Sequence, residues 1–362
     1  MKNKETLILH DYFDNFGGGE RLVNILGDEL NSNIVTGFIN SQYKHLLNNN
    51  IINLNIFFKS NRYLKILFLF FRFYFFKINH CPKNVIFSGC YSVFSIRRFK
   101  SSRKILYHHT LPKFAYYNES KPYSKSILFG YFINFMRIIF KKIYEKSLLH
   151  TDIIFCNSHF TKNELLNNIN IKHKKIYVIY PPVDLNVFNI KNTSYGNYFV
   201  VNSRHECDKK IDLIIKSFNS LSYKLFITGS GSKTAKLKIL AKNNSNIVFL
   251  GTLNETEYIK ILKNCRATIL LSENEDFGMA LAESLACGKM VFCLKSGGFV
   301  EYLQEGKNCV FLNKNDIINN LIDNINFNFE KLEGARDCCY KTALKFSKKN
   351  FINAFRDHLI YH

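Results

Sequence analysis

Short apolar runs alternate with longer amphipathic ones along this chain. "TLILH" (6–10) is followed by "GERLVNILGDEL" (19–30) and then "NIVTGF" (33–38). "NVIFS" (84–88), "KILYHH" (104–109), "DIIFCNS" (152–158) and "KIYVIY" (175–180) continue the series. Strand-like runs separated by helix-period segments predict parallel sheets with crossover helices. The last of these runs stops at Pro181-Pro182, and a polar stretch, "NIKNTSYGN" (189–197), follows. The two together predict an interdomain linker. The pattern then restarts, with strands expected at 198–204, 224–231, 246–251, 267–272 and 290–298. Helices are expected at 210–221 and 279–288, the second stopped by Gly288. The expected architecture is α/β, with two doubly wound, Rossmann-like halves. Ligands of such folds bind beyond the carboxyl ends of the strands, so chemistry is sought in the loops there.

Composition agrees with two folded domains. The chain has 362 residues and is 47% apolar, enough to bury two cores. Its ten cysteines are scattered without any C-x-x-C pair, which predicts reduced thiols and no zinc site. The start, "MKNKETLILHDYF", has too short an apolar run for a signal peptide. "ILFLFFRFYFF" (66–76) and "ILFGYFINFMRIIF" (127–140) are too short to span a bilayer, and each holds an arginine. Charge changes the picture more. The net charge is +22, and residues 1–185 hold 26 lysines and arginines against 11 acids. Between Glu29 and Glu119 there are 13 basic residues and no acid. Such a field attracts phosphates, anionic lipid or nucleic acid.

Four stretches carry candidate chemistry. "NFGGGERL" (15–22) joins the first strand to a helix. It is either a plain turn or a place where backbone and helix N-terminus approach an anion. "KILYHHTLPKF" (104–114) ends a strand at His108 and His109, which are either structural or proton-handling groups. "NSRHECDKKID" (202–212) puts Arg204, Lys209 and Lys210 between a strand and a helix, as a solvated basic loop or a diphosphate grip. "SENEDFGMALAES" (272–284) is a loop followed by a helix whose first turn has free N–H groups. Glu275 and Glu283 lie on either side of that phosphate position, each able to accept from hydroxyl groups. A capping acid and a surface acid are the plainer reading.

Taken together, these stretches resemble the retaining glycosyltransferases of family 4, which have the GT-B fold of two Rossmann-like domains facing each other across a cleft. "EDFGMALAESLACGKMVF" is similar to that family's Glu, seven residues, Glu motif, and "RHECDKKID" to its Arg-x-x-x-x-Lys segment. "FGGGER" resembles its first glycine loop, "VIYPPVDLNVF" its interdomain segment, and "YHHTLPKFAY" the Tyr-x-His-Thr-Pro segment of bacterial mannosyltransferase-like members. The motifs come in family order over about residues 7–310. The resemblance implies an acceptor-side domain at 1–184, a nucleotide-sugar domain at 185–345, and a final helix at 346–362 that packs back toward the first domain. Arg204 and Lys209 would hold the donor diphosphate, Glu283 the ribose, and Glu275 the donor sugar. Phe277, Gly278 and Met279 would offer backbone N–H groups. Gly17 and Gly18 would let the first domain close over the diphosphate, and His109 would face the reacting centre with Glu275. The family is described as metal-independent, and this chain has no Asp-x-Asp. No cofactor is expected beyond the nucleotide-sugar substrate. Departures are Leu111 between Thr110 and Pro112, Asn202-Ser203 before the arginine, and Cys309 where a glycine is usual.

The acceptor is expected to be lipid-linked or a glycan, in cell-surface polysaccharide or lipopolysaccharide synthesis. Drawn as a helix, 58–77 puts Lys59, Arg62, Lys65, Arg72 and Lys77 within a ~140° arc beside aromatic residues. That suits an interfacial helix on an anionic membrane, and equally a buried helix with snorkelling lysines. The expected location is cytoplasmic, peripheral at the inner face of the cell membrane. Two other readings stand beside this one: a sugar-nucleotide epimerase of the same fold, and a basic nucleic-acid-binding module, for which no motif is present.

Overall fold

The computed structural model describes residues 5–14, 17–47, 51–55, 62–78, 81–117 and 127–360. Of residues 62–66, 127–129, 132, 133 and 360 only the backbone is described. The chain forms two compact units, Met1–Tyr180 and Pro181–His362.

Unit 1 runs β1 (Thr6–His10), α1 (Gly18–Glu29), β2 (Asn33–Thr36), β3 (Ile51–Asn53), α2 (Arg62–Tyr74), β4 (Asn84–Ser88), β5 (Arg103–His108), α3 (Lys113–Tyr116), α4 (Ile127–Leu148), β6 (Ile153–Cys156), α5 (His159–Asn168) and β7 (Lys175–Val178). Its sheet has the order β3-β2-β1-β4-β5-β6-β7, and every pairing is parallel. β1, β2, β4 and β6 are buried at every residue. Helices on both faces exclude water from such strands, which is why they read as unbroken apolar runs. α1 buries Leu22, Val23 and Leu26, a stripe at helical spacing.

Unit 2 runs β8 (Tyr198–Asn202), α6 (Ile211–Phe218), β9 (Lys224–Thr228), α7 (Thr234–Leu240), β10 (Ile247–Gly251), α8 (Glu255–Asn264), β11 (Ala267–Leu270), α9 (Met279–Ala286), β12 (Val291–Leu294), β13 (Cys309–Leu312), α10 (Ile317–Asn328), α11 (Arg336–Ala343) and α12 (Lys348–Ile360). The sheet order is β10-β9-β8-β11-β12-β13, again parallel throughout. Both sheets reverse their winding once, between β1 and β4 and between β8 and β11. These reversals open the crevices where doubly wound sheets bind ligands.

The polar run 189–197 packs onto its own unit. Arg336 donates to the Ile190 carbonyl at 2.6 Å and Tyr195 to the Gly288 carbonyl at 2.8 Å. The fully buried Lys289 lies 3.8 Å from the centre of the Tyr195 ring. The division between the units falls between Tyr180 and Pro181, at the Pro pair, and α12 lies in unit 2.

The expected helix over 58–77 is shorter. Of its five basic residues, Lys59 lies outside the described residues, as do the side chains of Arg62 and Lys65. Arg72 is exposed in the last turn of α2 and donates to the Leu54 carbonyl at 3.3 Å. Lys77 lies beyond the helix end, so it shares no helical arc with the others. Arg98 donates twice to the terminal Tyr74 carbonyl, at 3.3 and 3.2 Å. The chain then turns Phe76 and Ile78 onto the core. Conversely, the apolar run at 127–140 is only part of α4, which has 22 residues. Among the described residues, no helix is long and apolar enough to cross a membrane.

Candidate functional site

In unit 1 the polar groups gather where β1 and β4 separate. Register aligns His10 with Ser88, and Ser88 with Tyr107. His10 Nδ1 lies 3.2 Å from both the carbonyl and the hydroxyl of Ser88. The Ser88 hydroxyl is 2.8 Å from Nε2 of His109, the first residue past β5. A chain of hydrogen bonds therefore links His10, Ser88 and His109. His109 also packs beside the glycine loop, since a Cβ built on Gly19 would lie 3.6 Å from its Cε1. Strand alternation sends the preceding residue, His108, to the other face, where its Nδ1 is 3.5 Å from the Tyr144 hydroxyl. Burial lowers His109 to about 4. Burial, and then repulsion from His109, lowers His10 and His108 to about 3. All three are neutral imidazoles at pH 7, equipped to donate and accept hydrogen bonds but not to pair with an anion.

Asp11 anchors this edge, and the sequence analysis did not single it out. Its carboxylate accepts from the backbone N–H groups of Cys90, Tyr91 and Ser92 at 2.6, 2.9 and 2.7 Å. These donors open the 3₁₀ helix Ser92–Arg98. Gly89, at φ +111°, makes the approach possible, because a Cβ there would come within 2.3 Å of the Asp11 carboxylate. Burial raises Asp11 to about 6, against the opposing pull of the three N–H bonds. Gly17 and Gly18 fall at the start of α1, as expected for a helix-opening loop. The Gly17 N–H is already taken by Glu20, whose Oε2 accepts at 3.2 Å. Burial pushes Glu20 up to about 7.

Unit 2 treats the corresponding place differently. β8 leads into a loop that carries Arg204, which is exposed, and ends in a tight turn at Lys209. The Lys209 ammonium is nearly buried and bonds Glu275 Oε2 at 2.6 Å, with Asp208 at 3.5 Å. Glu275 lies on the loop between β11 and α9. Lys210, at φ +48°, makes a second ion pair with Glu273 from the same loop. Gly278 is left-handed, at φ +84°, and starts α9. Among the described residues the N–H groups of Gly278 and Met279 have no partner, as the first turn of a helix requires. Phe277 is buried, and its carbonyl accepts from the Tyr302 hydroxyl at 2.8 Å. Glu283 is 7% exposed, so it is no surface acid. The Tyr258 hydroxyl donates to its Oε2 at 3.2 Å.

The structure thus brings Lys209 to Glu275 and sets Phe277, Gly278, Met279 and Glu283 along the start of one helix. Gly17, Gly18 and His109 form a second group on unit 1. Arg204 has no side-chain hydrogen bond or ion pair among the described residues. Ser88, Tyr258 and Glu273 went unremarked as site residues. The glycine-bearing loop after β11 was the signal that pointed near Glu273.

Two doubly wound units, one with a buried acid behind a glycine-started helix at its switch point, are the architecture of the GT-B class. The comparisons with known proteins agree. The model described as Glycosyltransferase Family 4 matches residues 16–187, and that described as Glycosyl transferases group 1 matches residues 186–343. The chain belongs to this glycosyltransferase family. An uncharacterized glycosyltransferase of Methanocaldococcus jannaschii, MJ1178, is 28% identical over 205 residues, 55% of this chain and 56% of that one. The O-antigen biosynthesis glycosyltransferase WbnH of Escherichia coli is 28% identical over 225 residues, 60% of this chain and 63% of that one. The matches thus span less than two thirds of these relatives. Anabaena Alr3699/HepE, solved in complex with UDP and glucose, superposes with a TM-score of 0.73 at 14% identity, over 99% of this chain and 100% of that one.

Proposed function

We propose that this protein is a configuration-retaining glycosyltransferase that moves a sugar from a nucleoside-diphosphate-sugar to a lipid-linked or saccharide acceptor in cell-surface polysaccharide or lipopolysaccharide synthesis. The observation that carries the reading is the start of α9. Free N–H groups, a buried acid four residues on, and a lysine already paired with an acid lie at the switch point of one sheet. The N–H groups and Lys209 suit the diphosphate, with Arg204 exposed and able to join them. Glu283 accepts from ribose hydroxyls, and Glu275 accepts from the sugar once Lys209 turns to phosphate. The positive side chains of Lys209 and Arg204 against the leaving diphosphate then stabilise its developing negative charge and lower the barrier without a metal. His109, neutral at pH 7, serves the reacting centre as a hydrogen-bonding group. Two of the relatives bear on substrate class: WbnH is named for O-antigen biosynthesis, and HepE was solved with UDP and glucose.

The acceptor side extends the proposal to an anionic membrane surface. Phe71 on α2 and Phe75 just beyond it are exposed, as are Tyr131, Phe135 and Ile138 along α4. The exposed cations Arg72, Lys77, Arg97 and Arg98 belong to the same unit. Aromatic side chains beside basic ones suit the headgroup boundary of a bilayer.

Thermal unfolding with UDP-, GDP- and ADP-sugars, beside Glu283→Ala, tests the donor reading. A nucleotide-sugar at 100 times its Kd stabilises by about 2.7 kcal/mol. The expected result is a rise with one nucleotide class that the variant loses. No rise with any of them would count against the reading.

A further inference from the structure

The loop after β8 and the loop after β11 are joined by two ion pairs, of which only one belongs to the donor site as read above. Lys209 and Lys210 are consecutive, while Glu273 and Glu275 flank Asn274. The inner rung joins Lys209 to Glu275 at 2.6 Å, and the outer rung joins Lys210 to Glu273. Consecutive side chains ordinarily diverge. Here a left-handed residue in each loop, Lys210 at φ +48° and Asn274 at φ +54°, lets both rungs form. Side chains rarely adopt that conformation, and it persists only where the surroundings impose it. The Glu273 carboxyl is held below its ordinary range by its hydrogen bond with Lys210 first, with a smaller contribution from Lys314. The Glu275 backbone is fixed separately, its carbonyl accepting from the Gly298 N–H at 2.7 Å.

The two rungs face different fates when a donor binds. The inner lysine is nearly buried, its side chain 9% exposed, and both its partners are acids that a diphosphate would replace. The inner rung must open for Lys209 to reach phosphate and for Glu275 to reach a sugar hydroxyl. Opening it removes the direct link between the loop that grips the diphosphate and the loop that reads the sugar. The outer rung is more exposed, at 28% and 38%, and no donor contact requires it to break.

We propose that Lys210 and Glu273 are a positioning pair for the donor: the outer rung holds the diphosphate loop and the sugar loop in register while the inner rung exchanges its partners for the nucleotide-sugar. This rests on the donor reading given above. The pair acts through Lys209 and Glu275 and touches no substrate itself. It matters for the sugar-bearing donor and much less for a nucleoside diphosphate, which engages one loop and the helix N-terminus.

The test compares binding of UDP or GDP with binding of the matching nucleotide-sugar in Lys210→Gly, Glu273→Gln and the charge swap Lys210→Glu with Glu273→Lys. Glycine relieves the left-handed backbone, so Lys210→Gly should melt no lower than the wild type. Each single variant should weaken nucleotide-sugar binding about five-fold, the upper range for one partly exposed pair. Binding of the plain nucleotide should stay within about two-fold, and the swap should restore most of the loss. Single variants that bind the nucleotide-sugar as the wild type does overturn the proposal. So does Glu273→Gln if it tightens the plain nucleotide, because Lys210 would then be a phosphate ligand kept waiting by Glu273. Equal loss of both ligands with a lower melting temperature reduces the pair to a structural contact. A wild-type protein that binds no nucleotide-sugar overturns the donor reading and this inference together, whereas a binding wild type with unaffected variants overturns this inference alone.

Discussion

The two sheets of this protein reverse at equivalent places and fill those places with opposite chemistry. At the edge of unit 1, burial keeps three histidines neutral, and a carboxylate spends its lone pairs on backbone N–H groups. At the edge of unit 2, lysines meet glutamates in partly open ion pairs, and the start of a helix leaves its N–H groups unclaimed. One edge is preorganised, and its polar groups are mostly used up in holding one another. The other holds its charges in pairs that an anion can exchange. The same topology therefore supplies a rigid hydrogen-bonding surface in one unit and partly open ion pairs in the other, the division that the proposed transfer from a diphosphate would use.

Removing one acid from each edge should separate the two most widely. Asp11→Ala leaves three backbone donors without their acceptor, and the expected cost is about 3–5 kcal/mol in urea unfolding. Glu275→Ala breaks a partly exposed pair whose lysine keeps Asp208, with an expected cost of about 1 kcal/mol or less. Similar costs would mean that the edges do not differ in kind.

The next effect is in pH. Glu20 has a folded value of about 7, above the ordinary 4.5, because burial disfavours its charge. Ionising it costs stability as pH rises from about 4.5 through 7, so Glu20→Gln should be more stable than the wild type at pH 8. The gain should be on the order of 2 kcal/mol and vanish below pH 4.5. The histidines act in the opposite sense. His109 is lowered to about 4, so the unfolded chain protonates first and stability falls with pH below about 6.5. Chemical unfolding of both proteins between pH 8 and 5 should show the steeper acid loss in Glu20→Gln.

The smallest effect concerns the open surface of unit 1. Lys77→Gln should change stability by less than about 0.5 kcal/mol. In co-sedimentation with phosphatidylglycerol vesicles at low salt, it should lose about 1 kcal/mol of binding. Binding that ignores both the substitution and the salt would remove the membrane from the account.

Much of this was legible in the chain. The buried strands announced themselves as apolar runs, and the polar or turn residues after them marked the loops where Lys209, Glu275 and His109 lie, with a glycine only in the loop of Glu275. Glu283 was placed by helix spacing from Gly278. What escaped depends on partners far apart in sequence. Asp11 owes its role to a turn 79 to 81 residues away, opened by Gly89. Glu273 looks like an ordinary surface charge, and its pairing with Lys210 shows only once the left-handed backbone turns the two toward each other. Lys77 fell off the expected arc because Arg98 takes the Tyr74 carbonyl where α2 ends, and no local pattern encodes that contact.

The most direct test of the division between edges is equilibrium binding of the stabilising nucleotide-sugar to Lys209→Met and His109→Ala. The account predicts at least about ten-fold weaker binding for Lys209→Met, the loss of a charge-assisted contact to phosphate. It predicts a Kd within about two-fold of the wild type for His109→Ala, whose neutral ring serves a later step. Loss of binding in His109→Ala with Lys209→Met unaffected would contradict it.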